Sequence, residues 1–407
     1  MERGIQTRYA IVALAVACNV VSYLDRACIS VAAPAIRAEF RLSPTQMGSV
    51  FSIFSLAYFL FLTPWGMAAD RFGARGLVTI AVFWWSAFTA ITGAAWNLAS
   101  LLVIRFVFGA VEAAISPATA SAFRRWVPVE ERSTVFGVFL GGGRVGAALA
   151  PALALFFLLR WGWRGMFFAF AGCGIVPGIA WWLGYRDPLA AATAQLQPGN
   201  WTRLLARPQT LCLMLMAFTY TLMWQFFITW FPTYLVEQLH LTLAEAARYA
   251  GLPFMIGLCA TWAGGFLADL LSRRFGVRIG RGGLGFAALM LAALFLNAGT
   301  RQAQPATAAI LMAFAGGLGD LSLGAAWAWA VDIGGPSAGA VSGLMNAASN
   351  CGAFVSPVFL AMAFQAWHDW NFVLTLAALS SAISAFLWLG VSVFGRPAPV
   401  VVRSGDV

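Results

Sequence analysis

Lysine is missing from these 407 residues: all 25 basic side chains are arginine. Acids number only 15, and charged residues make up 10% of the chain, against about a quarter in an ordinary soluble domain. A chain so poor in charge, 61% apolar with a mean hydropathy of +0.80, is neither a water-soluble globule nor a disordered segment. Histidine is nearly absent, with His240 and His368 in separate polar connections. The six cysteines form no Cys-x-x-Cys pair, and each falls in an apolar segment, so they read as small core residues. No metal site, Ser/His/Asp set or phosphate-cradling glycine loop is visible, and neither an enzyme nor a cofactor is expected. The apolar stretches are continuous rather than alternating, which argues against a β-barrel.

Long apolar runs are what the sequence has instead. A spanning helix needs about 20 apolar residues. Runs near 9–32, 47–66, 76–97, 99–123, 133–159, 165–185, 209–235, 247–271, 283–300, 305–331, 338–364 and 370–394 predict twelve spans. The first is too long for a cleaved signal and carries charge near its end, so it reads as a retained span. The longest polar connection, 186–208, contains Pro188, Pro198, Gly199 and Pro208 and reads as a cytoplasmic linker between an N-terminal half (1–185) and a C-terminal half (209–407) with a short cytoplasmic tail. Arginine sets the topology. With both termini inside, 16 arginines lie at inner ends and six at outer ones (Arg37, Arg41, Arg160, Arg164, Arg248 and Arg301). This bias accounts for the net charge of +10 without nucleic acid, and it predicts a multi-pass bacterial inner (plasma) membrane protein with cytoplasmic termini.

The two halves repeat. Gly66-x-x-x-Asp70-Arg71-x-Gly73-x-Arg75 follows span two; Gly265-x-x-x-Asp269, with Arg273, Arg274 and Gly276 after it, follows span eight. Gly137, Gly146 and Pro151 in span five have the spacing of Gly343, Gly352 and Pro357 in span eleven. Small residues let helices approach closely in lipid, but the same pattern at the same place in both halves points to a two-half secondary transporter.

These residues resemble the major facilitator superfamily, whose signature loop the Gly66–Arg75 segment matches. Within it, the chain is similar to the anion:cation symporters of sugar acids and organic anions, which include galactonate transporters, sialin and the vesicular glutamate transporters. The matching residues are Tyr23-Leu-Asp25-Arg26 with Ala33-Pro-Ala-Ile-x-x-Glu39-Phe40, Arg105-Phe-x-x-Gly109-x-x-Glu112-Ala-x-x-x-Pro117, Trp126-x-Pro128-x-x-Glu131-Arg132, and Phe231-Pro-Thr-Tyr-Leu235. The resemblance implies an all-α membrane protein, twelve transmembrane helices in two pseudo-symmetric six-helix halves.

Five charges fall inside spans: Asp25, Arg26, Arg105, Glu112 and Arg144, with Asp320 a possible sixth. Such groups pair, face a wet cavity, or both, and are functional by default. Arginine can grip a carboxylate bidentately. A buried acid beside it that gains and loses a proton couples proton flow to anion binding, reciprocally. Arg105 and Glu112, seven residues apart, return to nearly the same helix face about 10 Å apart and can line one cavity. By the resemblance, Glu112 and Asp25 are proton sites, and Arg26 and Arg105 bind the anion, with Tyr23 beside them. Arg144, amid glycines 141–143 and 146, departs from the family's polar uncharged residue; it either binds a second substrate carboxylate or balances Asp25 and Glu112. In the second half, Tyr220, Trp224, Gln225, Asn346, Ser349 and Asn350 can hydrogen-bond substrate or pin helices together. Trp327 and Trp329 read as interface or packing aromatics. Gly66, Asp70, Arg71, Gly73, Arg75 and Asp269 read as a gate, an acid at a helix end accepting from a neighbouring helix N-terminus.

The expected function is therefore proton-coupled symport of a small organic anion, a sugar acid or other carboxylate, by a monomer in the lipid bilayer. An exporter of aromatic or drug-like compounds in the same fold is the first rival; the intramembrane arginines argue against cationic drugs. An anion channel or a membrane sensor is the second, which the two-half repeat and the lack of an appended soluble domain disfavour.

Overall fold

In hydrocarbon every backbone amide must find its partner within the chain, and a helix does this along its whole length. The computed structural model describes residues 2–187 and 204–394, and among these it is helical throughout apart from short turns. The bulk of the expected linker, 188–203, and the tail from 395 onward lie outside the described residues.

The first half contains α1 (Glu2–Phe40), α2 (Pro44–Phe72), α3 (Ala74–Gly93), α4 (Leu98–Glu112), α5 (Ile115–Trp126) and α6 (Arg132–Gly184). The second contains α7 (Pro208–Thr229), α8 (Phe231–Glu237), α9 (Leu243–Phe275), α10 (Val277–Thr300), α11 (Pro305–Gly319), α12 (Leu323–Gly334), α13 (Ala338–Trp367) and α14 (Trp370–Phe394). Among the described residues these fourteen helices make twelve crossings. The α4–α5 and α11–α12 pairs each cross as one broken helix, and α7 continues into α8. Conversely, α6 crosses twice: Gly162, at φ 68°, breaks it where a side chain would be strained. The 63-residue apolar stretch Pro305–Trp367 would run about 95 Å if straight, three bilayers' worth of hydrocarbon. It turns at Gly335, φ 52°.

The halves are built alike down to their caps. Ser43 with Gln46 starts α2, and Thr242 with Glu245 starts α9, each as a reciprocal capping box. Gly73 and Gly276, at φ 86° and 82°, link α2 to α3 and α9 to α10. Within the halves α6 packs on α1 and α3, α13 packs on α7, and α10 packs on α14. The repeated glycines occupy matching contacts. A Cβ at Gly146 would overlap the Val20 carbonyl of α1, and one at Gly352 the Phe218 carbonyl of α7. Likewise Gly137 lies against the Thr261 carbonyl of α9, and Gly343 against the Leu62 carbonyl of α2. The halves thus meet along α2–α13 and α6–α9, with α5 and α12 adding to the seam. Large apolar side chains such as Phe72, Val176, Phe354 and Met362 are exposed on the outside, where lipid rather than water is the partner.

Candidate functional site

Between the halves lies a cavity of about 250 Å³. From the first half Asn19, Tyr23 and Arg26 of α1, Tyr58 of α2, Ser116 of α5, and Phe139, Leu140 and Arg144 of α6 line it. From the second come Tyr220, Thr221, Trp224, Gln225 and Ile228 of α7, Leu323 and Trp327 of α12, and Asn346, Ser349 and Asn350 of α13. Of the residues nominated from sequence for substrate, Arg105 is the one outside this lining. Trp327, expected at an interface, sits instead on the cavity wall, stacked on Phe136 with ring centroids 5.7 Å apart. Trp329 is fully buried.

Arg26 forms one wall. Its Nε donates to Glu112 Oε1 at 2.6 Å, and Ser22 Oγ, one turn back on the same face of α1, donates to that same oxygen. The guanidinium lies over the rings of Tyr58 (4.4 Å), Tyr23 (4.9 Å) and Phe54 (5.4 Å), the electron-rich faces that favour a cation. The Arg26 side chain keeps 23% exposure, while Glu112, at the end of α4, has none. The arginine is therefore the face that a visitor in the cavity meets, and the acid stands behind it.

Asp25 points elsewhere, as adjacent helical residues must. It is buried, and neither carboxylate oxygen makes a hydrogen bond among the described residues. Trp85 and Thr89 of α3 and the cation of Arg105 lie within electrostatic reach of it. Arg105 is 3% exposed, with its guanidinium over Phe54 (4.8 Å) and Phe108 (4.7 Å). The seven-residue spacing does return Arg105 and Glu112 to one face of α4, but there Arg105 lies against Phe54 of α2 and Glu112 against Ser22 and Arg26 of α1, and neither residue lines the cavity.

Arg144 forms a second charged wall. It pairs neither with Asp25 nor with Glu112; its Nη2 makes an ion pair with Asp320, in the turn (Asp320–Ser322) joining α11 to α12 in the other half. Tyr220 Oη donates to the second oxygen of Asp320, and the Arg144 guanidinium lies 5.5 Å from the Trp224 ring. Nearby, Thr221 and Ser349 hydroxyls share a hydrogen bond of 2.6 Å, and the Asn350 amide donates to the Asn346 carbonyl at 2.8 Å and to its Oδ1 at 3.1 Å.

One end of the assembly is tied shut. Asp70 accepts from the backbone N–H groups of Gly339 and Ala340 at the start of α13, both at 2.9 Å. Asp269 accepts from Ser133 (3.2 Å) and Thr134 (2.7 Å) at the start of α6. Each half's loop acid thus holds the N-terminus of a helix in the other half, where the helix dipole favours an anion. Gly66 lies so close to Gly339 that a Cβ would overlap its carbonyl. Asp332 then accepts from Arg132 of the first half and from Arg281 of the second, and Arg281 stands 3.6 Å from Asp269. Around Gly73, Asp187 accepts from the N–H groups of Ala74 and Arg75 (3.1 Å each) and from Arg125 Nη1 (2.5 Å). Arg75 donates to the Trp182 carbonyl and stacks on its ring, while Arg71 is exposed beside Phe72. Helices α1 and α7, which both line the cavity, do not pack closely on one another.

The sequence reading missed Ser22, Tyr58, Asp187 and Asp332. Ser22 was legible as the i−4 neighbour of Arg26. Asp332 was legible as a charge at the end of an otherwise apolar run, opposite in sign to the arginines assigned to that side.

Comparison with known proteins agrees with this geometry. A model of the Major Facilitator Superfamily matches residues 15–357. The chain is similar to a probable sulfoacetate transporter of Cupriavidus necator (30% identity over 96% of this chain and 95% of that one). It is similar also to a hexuronate transporter of Bacillus subtilis (28%; 93% and 92%). Among solved structures it superposes on the transporter FucP in the outward conformation (TM-score 0.77, 13% identity, 95% of this chain and 99% of that one). The proton:xylose symporter XylE gives a TM-score of 0.71 at 17% identity, over 96% of this chain and 95% of that one.

Proposed function

The chain belongs to the major facilitator superfamily, whose members here are multi-pass membrane transporters rather than enzymes, and on that premise we propose that it is a proton-coupled symporter of a small organic anion. The observation that carries this reading is a cavity arginine, Arg26, whose counter-ion is an acid fully buried behind it.

One guanidinium cannot hold two carboxylates at full strength. When an anion enters and takes the planar fork of Arg26, Glu112 loses part of its counter-charge in a place where an unpaired charge is costly. Glu112 then takes a proton, and cargo and proton favour each other's binding. Asp25, with Arg105 near it, forms a second acid–base pair deeper in the same half and is the next candidate for a proton. Tyr23, Gln225, Ser349 and the Asn346–Asn350 pair supply hydrogen bonds for cargo hydroxyls. The names of the relatives, carriers of sulfoacetate, hexuronate and galactarate or glucarate, support acidic cargo.

In the proposed cycle the tied end faces the cytoplasm, as the arginine bias requires with both termini inside, in a bacterial inner membrane. The structure then stands for the state open to the outside. The halves, 1–185 and 209–407, rock about the cavity; Asp70 and Asp269 release the N-termini of α13 and α6, and Gly73 and Arg75 keep the α2–α3 turn in shape. The test is uptake of labelled organic acids into proteoliposomes under an inside-alkaline pH gradient. Accumulation that a protonophore abolishes supports the reading. Equilibration without accumulation would make the protein a uniporter or channel instead.

A further inference from the structure

Symport through Arg26 and Glu112 leaves the Arg144–Asp320 pair without a task. Building on that reading, we infer that Arg144 is a second anion site held in reserve by Asp320, and that the cargo is a small dianion with acidic groups at both ends, carried with two protons.

Three observations carry this. First, the four charges at the cavity balance: two arginines on its wall, each with its own buried acid. A monoanion needs only one of these pairs. Two ionised groups in the membrane core are costly to bury, and apolar residues would brace the helices as well. Second, both arginines lie near one tyrosine of the cavity wall: the Arg26 guanidinium lies over the Tyr23 ring at 4.9 Å, and Arg144 is within electrostatic reach of Tyr23. A cavity of about 250 Å³ that holds both cations suits a compact acid spanning them. Third, room is kept for the pair: a Cβ at Gly257 of α9 would strike both the Asp320 carboxylate and the Arg144 guanidinium. Among the described residues the charged and titratable groups facing Asp320 are Arg144 from α6 and Tyr220 from α7, and α9 places Gly257 against it.

On binding, Arg144 leaves Asp320 for the second acidic group of the cargo. Asp320 takes a proton from the cavity and stays hydrogen-bonded to Tyr220. Two arginines, a dianion and two neutral acids again sum to zero. Because Arg144 and Asp320 belong to different halves, the exchange also loosens a tie between them.

The test compares acids of equal length that differ at one end: D-glucarate with D-gluconate, and sulfoacetate with 2-hydroxyethanesulfonate. Each is offered to proteoliposomes under an inside-alkaline pH gradient. Wild-type protein should favour the diacid of at least one pair by about tenfold in KM, the value of one well-placed ionic contact. Since Arg144→Gln alone strands a buried acid, the double variant Arg144→Gln/Asp320→Asn is measured beside it; in the double variant the KM ratio should fall to about one. The proton-to-diacid ratio, read from the gradient at which net flux reverses, should fall from two to one. If wild-type protein takes up the monoacids as well as the diacids, or the double variant keeps the wild-type ratio, the second site is wrong while the symport reading stands. If wild-type protein takes up none of the four, the organic-anion reading falls and this inference with it.

Discussion

Arg26–Glu112 and Arg144–Asp320 are the same chemistry set on different frames. Both place an arginine on the wall of one cavity with a fully buried acid behind it. The first pair lies within one half, with Ser22 to share the acid and three aromatic rings around the cation. In the proposed cycle such a pair would move as a body as the halves rock, and could record binding without resisting the motion. The second joins the halves across the seam that also carries the Arg132–Asp332 tie, so it cannot keep its geometry when they separate. An ion pair inside a rigid unit suits coupling of a proton to a ligand; one between units suits coupling of a ligand to a conformational change.

The largest effect should come from breaking the pair inside the half. Arg26→Ala leaves Glu112 buried without a cation, at a cost of about 3–5 kcal/mol. Thermal unfolding in detergent should show a much lower midpoint, and uptake should be abolished. Arg26→Lys restores the charge without the planar fork and should recover the midpoint far better than the uptake. If Lys restores both, bidentate grip is not what the site uses. The same change at Arg105, which lies outside the cavity lining, should affect cargo affinity less.

Next comes the pair across the seam. Asp320→Asn should loosen the halves while sparing the fold of each, since Tyr220 can still hydrogen-bond the amide. Spin-label distances between the two halves should shift toward the alternate state. An unchanged distribution would mean the pair braces nothing.

Smaller again are Asp70 and Asp269, the acids that accept from helix N-termini of the opposite half. Asp70→Ala removes two hydrogen bonds to a helix N-terminus, about 1–2 kcal/mol. It should slow transport several-fold while leaving equilibrium cargo binding within about twofold, because Asp70 lies away from the cavity. Asp269→Ala should do more, since Asp269 also neighbours the buried Arg281. Equal effects would show that the arginine cluster beside Asp269 adds nothing to its hold.

The crossings, the repeat between the halves and the presence of charge inside the spans were legible in the sequence because the bilayer enforces them: run length, small-residue spacing and the rarity of intramembrane charge are each physical requirements. Partners were harder to read. The spacing of Arg105 and Glu112 was right about a shared helix face, but sequence does not tell which neighbour that face meets; here it meets α1 and α2. For Arg144 the sequence left open a second substrate carboxylate or a balance to Asp25 and Glu112; it does line the cavity, but its ion pair is with Asp320, a residue 176 positions away in the chain. Long-range pairing of this kind is decided by how the halves dock. By contrast, the acids after spans two and eight announced their partners' nature, helix N-termini, through their place at helix ends.

That Glu112 is the group which takes the proton is tested most directly by Glu112→Gln in proteoliposomes, with substrate counterflow and pH-gradient-driven uptake measured on the same preparation. Glutamine mimics the protonated acid and fills the same space beside Arg26 and Ser22. Counterflow, which needs no net proton movement, should persist, and accumulation against a cargo gradient should be lost. Accumulation at the wild-type level by Glu112→Gln would contradict the assignment and move the proton to Asp25.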